Sequence, residues 1–116
     1  MMTALFERIS LQAHQYPQRE AVVTAQATLS YAELQRRIEL LSASFMQLNL
    51  RRLTLWGVNS IDWIVVDLAA QKAGMTVIPV PLFFTAAQVR HLLSDSRTEL
   101  LCILDESFSA PEWLLN

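Results

Sequence analysis

The chain of 116 residues has few of the residue types that mark functional sites. Its one cysteine, Cys102, has no second cysteine with which to form an internal disulfide. We expect it to be a buried, inert thiol, because it lies in an apolar run. The two histidines, His14 and His91, have no ligand-like spacing to each other or to Cys102, so we expect no metal site. The two glycines, Gly57 and Gly74, are too few for a glycine-rich phosphate loop.

Positive charge is also scarce. Nine lysines and arginines stand against eleven acidic residues, the formal net charge is −2, and Lys72 is the only lysine. The pairs Arg36-Arg37 and Arg51-Arg52 are isolated, and we expect them at the solvated ends of helices and loops. Because nucleic-acid binding requires a basic surface, we expect no nucleic-acid partner.

The sequence also shows no long apolar run and no pattern typical of a leader. No run approaches the roughly 20 residues of a membrane-spanning helix, and the N-terminus lacks a basic segment followed by an apolar one. We therefore expect no transmembrane segment and a cytoplasmic location. The hydrophobic fraction of 53% is nevertheless high for a soluble domain. This surplus predicts surface that another polypeptide covers, or that supports self-association.

Residues 53–81 contain the clearest structural pattern, and the rest of the chain is arranged around it. Short apolar runs at 53–56 and 75–80 predict two strands, and the almost wholly apolar segment 61–73 predicts a buried helix between them. We expect Asn59 to cap this helix and Gly74 to end it. Two strands joined by one helix form a right-handed βαβ unit with a parallel sheet.

Two helices and a hairpin precede this unit. A first helix is predicted from Thr3 to about Tyr16, followed by a small hairpin of strands 21–24 and 27–29. A second helix is predicted from Ser30 to Asn49, with Ser30 and Glu33 as a capping box. Its apolar stripe comprises Leu34, Ile38, Leu41, Phe45 and Leu48. Glu33 and Arg37 are expected to pair on its wet face.

A third helix and a third strand complete the pattern. Thr85 and Gln88 form a second capping box for a helix ending near Asp95, and residues 99–104 predict the third parallel strand. The fold class is therefore α/β, a parallel βαβαβ sheet covered by helices and preceded by a helix and a hairpin. Residues 1–104 form one α/β subdomain, and 105–116 are a loop or the start of another element. Because parallel sheets are normally covered, we expect this subdomain to be the first part of a larger one.

Chemical signals are weak. The turn formed by residues 57–60 is either a plain helix cap or an anion site at a helix N-terminus. Trp63 is either a core residue or faces the crevice at the strand ends. His91, Ser94 and Asp95 are close in sequence at a helix end, where such neighbours are ordinary. We identify no convincing catalytic set.

Several segments, taken together and in order, resemble one enzyme family. The resemblance covers about residues 5–104 and is with the N-terminal portion of the adenylate-forming superfamily, which includes acyl-CoA synthetases, luciferases and peptide-synthetase adenylation domains. It rests on Pro17 with Ala21-Val22-Val23, on Leu29-Ser30-Tyr31-Ala32-Glu33-Leu34, on Asn59-Ser60-Ile61-Asp62-Trp63, on Ala73-Gly74-Met75-Thr76-Val77-Ile78-Pro79-Val80, and on Gln88 with His91-Leu92-Leu93-Ser94-Asp95-Ser96. The segment Leu82-Phe83-Phe84-Thr85 is most similar to synthetases acting on fatty or aryl acids. The chain departs from the family in a glycine-free hairpin turn and a short loop at 50–52.

The resemblance implies a two-step ligase. A carboxylate attacks the α-phosphate of ATP in the presence of Mg²⁺, and the acyl group then passes to the thiol of CoA or of a carrier-protein phosphopantetheine arm. The family's phosphate loop, acidic and arginine motifs and mobile lysine match no position in this chain. The resemblance therefore implies no catalytic, cofactor-binding or metal-binding residue here, and no activity for the chain alone. The rest of the enzyme would be the partner that covers the open sheet edge.

Two other functions are compatible with the same pattern. The chain could be a complete, non-catalytic interaction or regulatory module derived from this fold. A freestanding flavodoxin-like or receiver-like domain also has βαβ units, but those functions require a phosphate loop or an acidic cluster at the strand ends. Phe83 and Phe84 could either pack into the core or contact an acyl channel, and the sequence leaves both interpretations open.

Overall fold

The computed structural model describes residues 3–104, so the predicted loop or helix start at 105–116 lies outside the described residues. The elements follow in the order α1 (Thr3–Gln15), β1 (Glu20–Val23), β2 (Thr28–Ser30), α2 (Tyr31–Leu48), β3 (Arg52–Gly57), α3 (Ile61–Lys72), β4 (Thr76–Pro79), α4 (Ala86–Asp95) and β5 (Leu100–Leu104). This order of helix, hairpin, helix and βαβαβ unit confirms the predicted α/β architecture.

The βαβαβ unit forms a three-stranded parallel sheet in the order β4-β3-β5. Leu53 of the central strand pairs with Val77 on one side and with Leu100 on the other. The hairpin β1-β2 forms a separate antiparallel sheet. The chain thus builds the centre of the parallel sheet first and then adds one strand to each side.

The main core lies between the parallel sheet and α3. Leu53 and Leu55 are fully buried there, packed with Phe45 of α2 and with the small residues Ala69 and Ala70 of α3. Another side of α3 faces a second core, which joins Ile9, Leu29, Leu34, Ile38 and Val65 from α1, β2, α2 and α3. Helix α3 is therefore covered on two sides, as its lack of a polar stripe predicted.

The caps of α2 explain where this helix begins and ends. The hydroxyl of Ser30 accepts a hydrogen bond from the amide of Glu33 at 3.2 Å, and Asn49 adopts the left-handed conformation with φ of 54°. The expected pairing of Glu33 with Arg37 is confirmed at 3.0 Å. The reciprocal half of the predicted capping box is wrong, because the Glu33 carboxylate binds Arg36 and Arg37 instead of returning to the N-cap amide.

Helix α4 carries the complete capping box that the sequence predicted. The hydroxyl of Thr85 accepts from the amide of Gln88 at 3.3 Å, and the side chain of Gln88 accepts from the amide of Thr85 at 2.8 Å. Only Val89 of this helix is fully buried. Helix α4 therefore begins through local hydrogen bonds and is held by little packing.

A short chain of hydroxyl groups explains the threonine in the middle of the apolar strand β3. Thr54 is fully buried, and its hydroxyl lies 2.5 Å from that of Thr98, which in turn lies 2.6 Å from that of Ser96. A buried hydroxyl without a partner would destabilise the fold, and these contacts supply one. They also fix the turn after α4 to the centre of the sheet.

Candidate functional site

The carboxyl edge of the three parallel strands is the candidate site, because open α/β sheets bind ligands there. Three segments meet at this edge. They are the turn at residues 57–60 after β3, residues 80–85 after β4, and Leu104 at the end of β5.

Gly57 sets the geometry of the edge. It has a φ of +151°, a conformation that side chains rarely adopt, and a β-carbon on it would lie 3.0 Å from the carbonyl oxygen of Leu104. Gly57 and Leu104 are paired in the parallel ladder between β3 and β5. The glycine thus permits a close approach of two strands.

The turn after Gly57 ends in the N-cap of α3. The residue that caps this helix is Ser60, whose hydroxyl accepts a hydrogen bond from the amide of Trp63 at 3.2 Å. The prediction that Asn59 caps α3 is therefore wrong. Both residues are good N-cap types, but the extended backbone of Ser60 places its hydroxyl over the first turn.

Charged side chains surround this N-terminus. Asp62 lies in the first turn of α3, and its carboxylate is 3.8 Å from the guanidinium of Arg37 on α2. Beside them lies an open groove of about 410 Å³, whose other wall is the hairpin turn. Because Asp62 already places a negative charge at the positive end of the helix, the geometry favours the plain cap over an anion site.

The same arginine belongs to a cluster on α2. Hydrogen bonds from Arg36, and then from Arg37, lower the pKa of the Glu33 carboxyl from its usual 4.5 to about 2. Arg37 therefore connects a carboxylate of α2 with one of α3. Sequence spacing predicted the contact of Arg37 with Glu33 within α2. The contact of Arg37 with Asp62 could not be predicted in this way, because it depends on how α2 and α3 pack.

The aromatic residues near the edge differ in their surroundings. Trp63 is half-buried and packs against the main core, as the simpler interpretation predicted. Phe84 is half-buried, whereas Phe83 is 81% exposed, and the two rings meet edge to face with centroids 5.5 Å apart. The prediction that Phe83 packs into the core is therefore wrong within residues 3–104.

The remaining candidates show no catalytic arrangement. The imidazole of His91 lies 3.1 Å from the carboxylate of Asp95 one turn along α4, and both side chains are largely exposed. Exposed pairs of this kind are ordinary surface features. Burial raises the pKa of the half-buried Cys102 thiol, which makes it a poorer nucleophile.

The residues that the structure describes show no built site for the implied ATP and Mg²⁺. Among residues 3–104, no group of three or more His, Cys, Asp or Glu side chains could hold a metal ion. The hydroxyl at the strand-to-helix turn is already used by the cap of α3. We therefore assign no step of ATP chemistry to these side chains.

Among residues 3–104, no helix is long and apolar enough to cross a membrane.

The comparison with protein families decides which family this fold represents. The family described as AMP-binding enzyme matches residues 9–114. The chain belongs to this family. The match extends through almost the whole chain and confirms the resemblance to adenylate-forming enzymes.

Two curated relatives represent the two branches of AMP-binding enzymes that the chain resembles. It is 28% identical over 92 residues to the medium-chain acyl-CoA ligase ACSF2, mitochondrial, of Rattus norvegicus, covering 75% of this chain and 15% of that protein. It is 31% identical over 103 residues to the L-proline--[L-prolyl-carrier protein] ligase of Pseudomonas fluorescens, covering 86% of this chain and 21% of that protein. The chain thus spans about a fifth or less of these AMP-binding enzymes.

A solved structure shows the same fold. The inhibitor-bound N-terminal domain of FACL13 from Mycobacterium tuberculosis superposes with a TM-score of 0.76 at 20% sequence identity, over 85% of this chain and 26% of that chain. The α/β unit described above is therefore the fold of an N-terminal portion of an AMP-binding enzyme.

Proposed function

We propose that this chain is the N-terminal structural part of an ATP-dependent acid–thiol ligase. The ligase joins a carboxylate to the AMP portion of ATP with release of pyrophosphate, and then passes the acyl group to the thiol of CoA or of a carrier-protein arm. The observation that carries the proposal is the match of the AMP-binding family to residues 9–114, combined with coverage of only 15% and 21% of two such ligases. ATP and Mg²⁺ are proposed to bind outside this part of the enzyme.

The role that we propose for this part is to support the rest of the enzyme. The carboxyl edge of the sheet and the outer side of β5 are the surfaces proposed to meet it, because all five residues of β5 are only half-buried. The apolar segment at residues 82–84 supports a fatty or aryl acid as substrate. A cytoplasmic location also stays a prediction, which cell fractionation would test.

The test combines size with activity. An antibody raised against this chain should detect a native polypeptide several times longer than 116 residues. That polypeptide, after immunopurification, should exchange pyrophosphate with ATP when supplied with a carboxylic acid from a panel of fatty, aryl and amino acids. The isolated 116-residue chain should not catalyse this exchange.

Omission of the acid is the matched control for the exchange reaction. A native polypeptide of 116 residues would contradict the proposal and favour a standalone module. Exchange by the 116-residue chain itself would instead show that the active site lies within it.

A further inference from the structure

The amino edge of the parallel sheet carries polar contacts between β3 and β5. One carboxylate oxygen of Glu99, the residue before β5, accepts hydrogen bonds from the backbone amides of Arg51 at 2.9 Å and of Arg52 at 3.2 Å. The amide of Glu99 in turn donates to the carbonyl oxygen of Arg52 at 3.1 Å. Hydrogen bonds from backbone amides to a carboxylate are stronger than those between neutral groups. Glu99 therefore fastens the start of β5 to the start of β3.

Hydroxyl contacts form the other half of this attachment. The fully buried hydroxyl of Thr54 meets that of Thr98 at 2.5 Å, and Thr98 also contacts Ser96 at 2.6 Å. Between them, Arg97 has a φ of 54°, a conformation that few residues other than glycine adopt. We call these contacts the amino-edge clamp, and its members are Arg51, Arg52, Thr54, Ser96, Thr98 and Glu99. The clamp thus holds a strained turn where α4 passes into β5.

The apolar contacts of α4 and β5 are weak in comparison. All five residues of β5 are half-buried, and Val89 is the only fully buried residue of α4. Within residues 3–104, no fully buried member of either core comes from α4 or β5. Both faces of β5 are apolar, so a shift by one residue would exchange one set of apolar side chains for another. Apolar packing alone therefore neither holds β5 firmly nor fixes its register.

We propose that α4 and β5 open from the sheet as one unit while α2, β3 and α3 stay folded, and that the amino-edge clamp sets how often this unit opens. Local opening is characteristic of segments that bury few apolar contacts. It would break the ladder in which Leu55 of β3 pairs with Cys102 of β5, and it would free that edge of β3. The inference concerns contacts within residues 51–104 and does not depend on the proposed ligase function.

The thiol of Cys102 reports the opening, because it packs half-buried against the main core and is the only cysteine of the chain. The 116-residue chain is labelled with N-ethylmaleimide at increasing urea concentrations, and mass spectrometry of the intact chain gives the rate. Amide exchange of α3 in the same solutions reports unfolding of the rest. Below the unfolding transition, the labelling rate should depend less on urea than the exchange of α3, because a local opening exposes less surface.

Two clamp variants test the control of this opening. Thr98→Val should raise the labelling rate of Cys102 about tenfold, because the buried hydroxyl of Thr54 loses its partner. Glu99→Ala should raise it several-fold, and this exposed position keeps the test available if Thr98→Val does not fold. Thr76→Val is the matched control and should not change the rate. Thr76 is exposed at the same edge of the sheet, on the other side of β3.

A variant of α3 tests whether the opening is separate from global unfolding. Ser60→Ala removes the N-cap of α3, which stays in place when only α4 and β5 open. This variant should increase amide exchange in α3 and leave the labelling rate of Cys102 unchanged. Amide exchange of residues 100–104 gives a second measurement without the thiol. It should increase in both clamp variants and stay unchanged in Ser60→Ala.

Three results would overturn the inference. An equal dependence on urea of Cys102 labelling and α3 exchange would show that β5 leaves the sheet only when the whole chain unfolds. An unchanged labelling rate in the folded clamp variants would show that the clamp does not control the opening. A rise in Ser60→Ala as large as that in Glu99→Ala would show that α3 and β5 belong to one cooperative unit.

Discussion

Strands β3 and β5 are both short apolar strands, yet they differ in burial. Leu53 and Leu55 of β3 have no exposed surface, whereas every residue of β5 is half-buried. The two strands are direct neighbours, and Leu53 pairs with Leu100 in the ladder. Apolar composition therefore does not decide burial in this sheet. In this parallel sheet, only the strand with a partner on both sides contains fully buried residues.

Helices α3 and α4 differ in burial in the same way as strands β3 and β5. Helix α3 buries Val65, Val66, Ala69 and Ala70, whereas α4 buries only Val89 completely. The inner unit of α2, β3 and α3 is thus a finished core, and the outer unit of α4 and β5 has uncovered apolar surface.

A matched pair of leucines measures the difference directly. Leu53→Ala should lower the free energy of unfolding by about 2–5 kcal/mol, because it leaves a cavity in a closed core. Leu100→Ala, on the same face of the neighbouring strand, should cost about 1 kcal/mol, because that side chain is already partly in water. Urea denaturation of the 116-residue chain compares the two variants.

The same pair should respond differently in the longer polypeptide. If the rest of the enzyme covers β5, the cost of Leu100→Ala should rise towards that of Leu53→Ala. Equal costs in the isolated chain would show that the outer unit is already as well covered as the inner one.

The close approach of β3 and β5 should also be measurable. Gly57→Ala should cost about 1–3 kcal/mol for the strained backbone, and more for the contact with the Leu104 carbonyl, which pushes β5 away. Gly74→Ala is the control, since it also has a positive φ but open space around the added carbon. Amide exchange in β5 should increase only in the Gly57 variant. An increase in both variants would show that the contact is unimportant.

The cap of α3 belongs to the inner unit. Ser60→Ala should lower the free energy of unfolding by about 1 kcal/mol, because the amide of Trp63 loses its acceptor. Asn59→Ala should leave stability nearly unchanged, since Asn59 does not cap the helix. Thermal unfolding followed by circular dichroism compares the variants, and the reverse order of effects would restore Asn59 as the cap.

The smallest expected effect concerns acid. Because the pKa of Glu33 is lowered to about 2 in the folded chain, its stabilising contribution is complete above pH 4.5 and is lost as the pH falls towards 2. Glu33→Gln should therefore flatten part of the dependence of Tm on pH in this window. Glu7→Gln, which removes a carboxylate from α1, is the control. An unchanged dependence of Tm on pH in the Glu33 variant would contradict the stabilising contacts of Glu33 with Arg36 and Arg37.

Sequence patterns predicted the elements well because each has a local cause. The capping residues Ser30 and Thr85, the left-handed Asn49 and the apolar run before Gly74 all act through neighbours within a few residues. The parallel pairing also followed from the βαβ order. The family resemblance depended on the same segments and was confirmed.

Contacts between distant segments could not be predicted in this way. Ser60 and Asn59 are both suitable N-caps, and only the backbone at the end of β3 selects Ser60. The bridge from Arg37 to Asp62 and the hydroxyl contact between Thr54 and Thr98 join residues that are far apart in sequence. The exposure of Phe83 likewise depends on which segments lie nearby, and no local pattern encodes that.

The order of strands in the sheet has a consequence for synthesis on the ribosome. The strands begin at residues 52, 76 and 100, and the first of them is the one that needs both of the others. At about 5–20 residues per second, the centre of the sheet is made roughly 2–10 s before its second partner strand. During this interval the mainly apolar strand β3 has an open edge. The nascent chain should therefore be most prone to aggregation and to chaperone capture between the synthesis of β3 and that of β5.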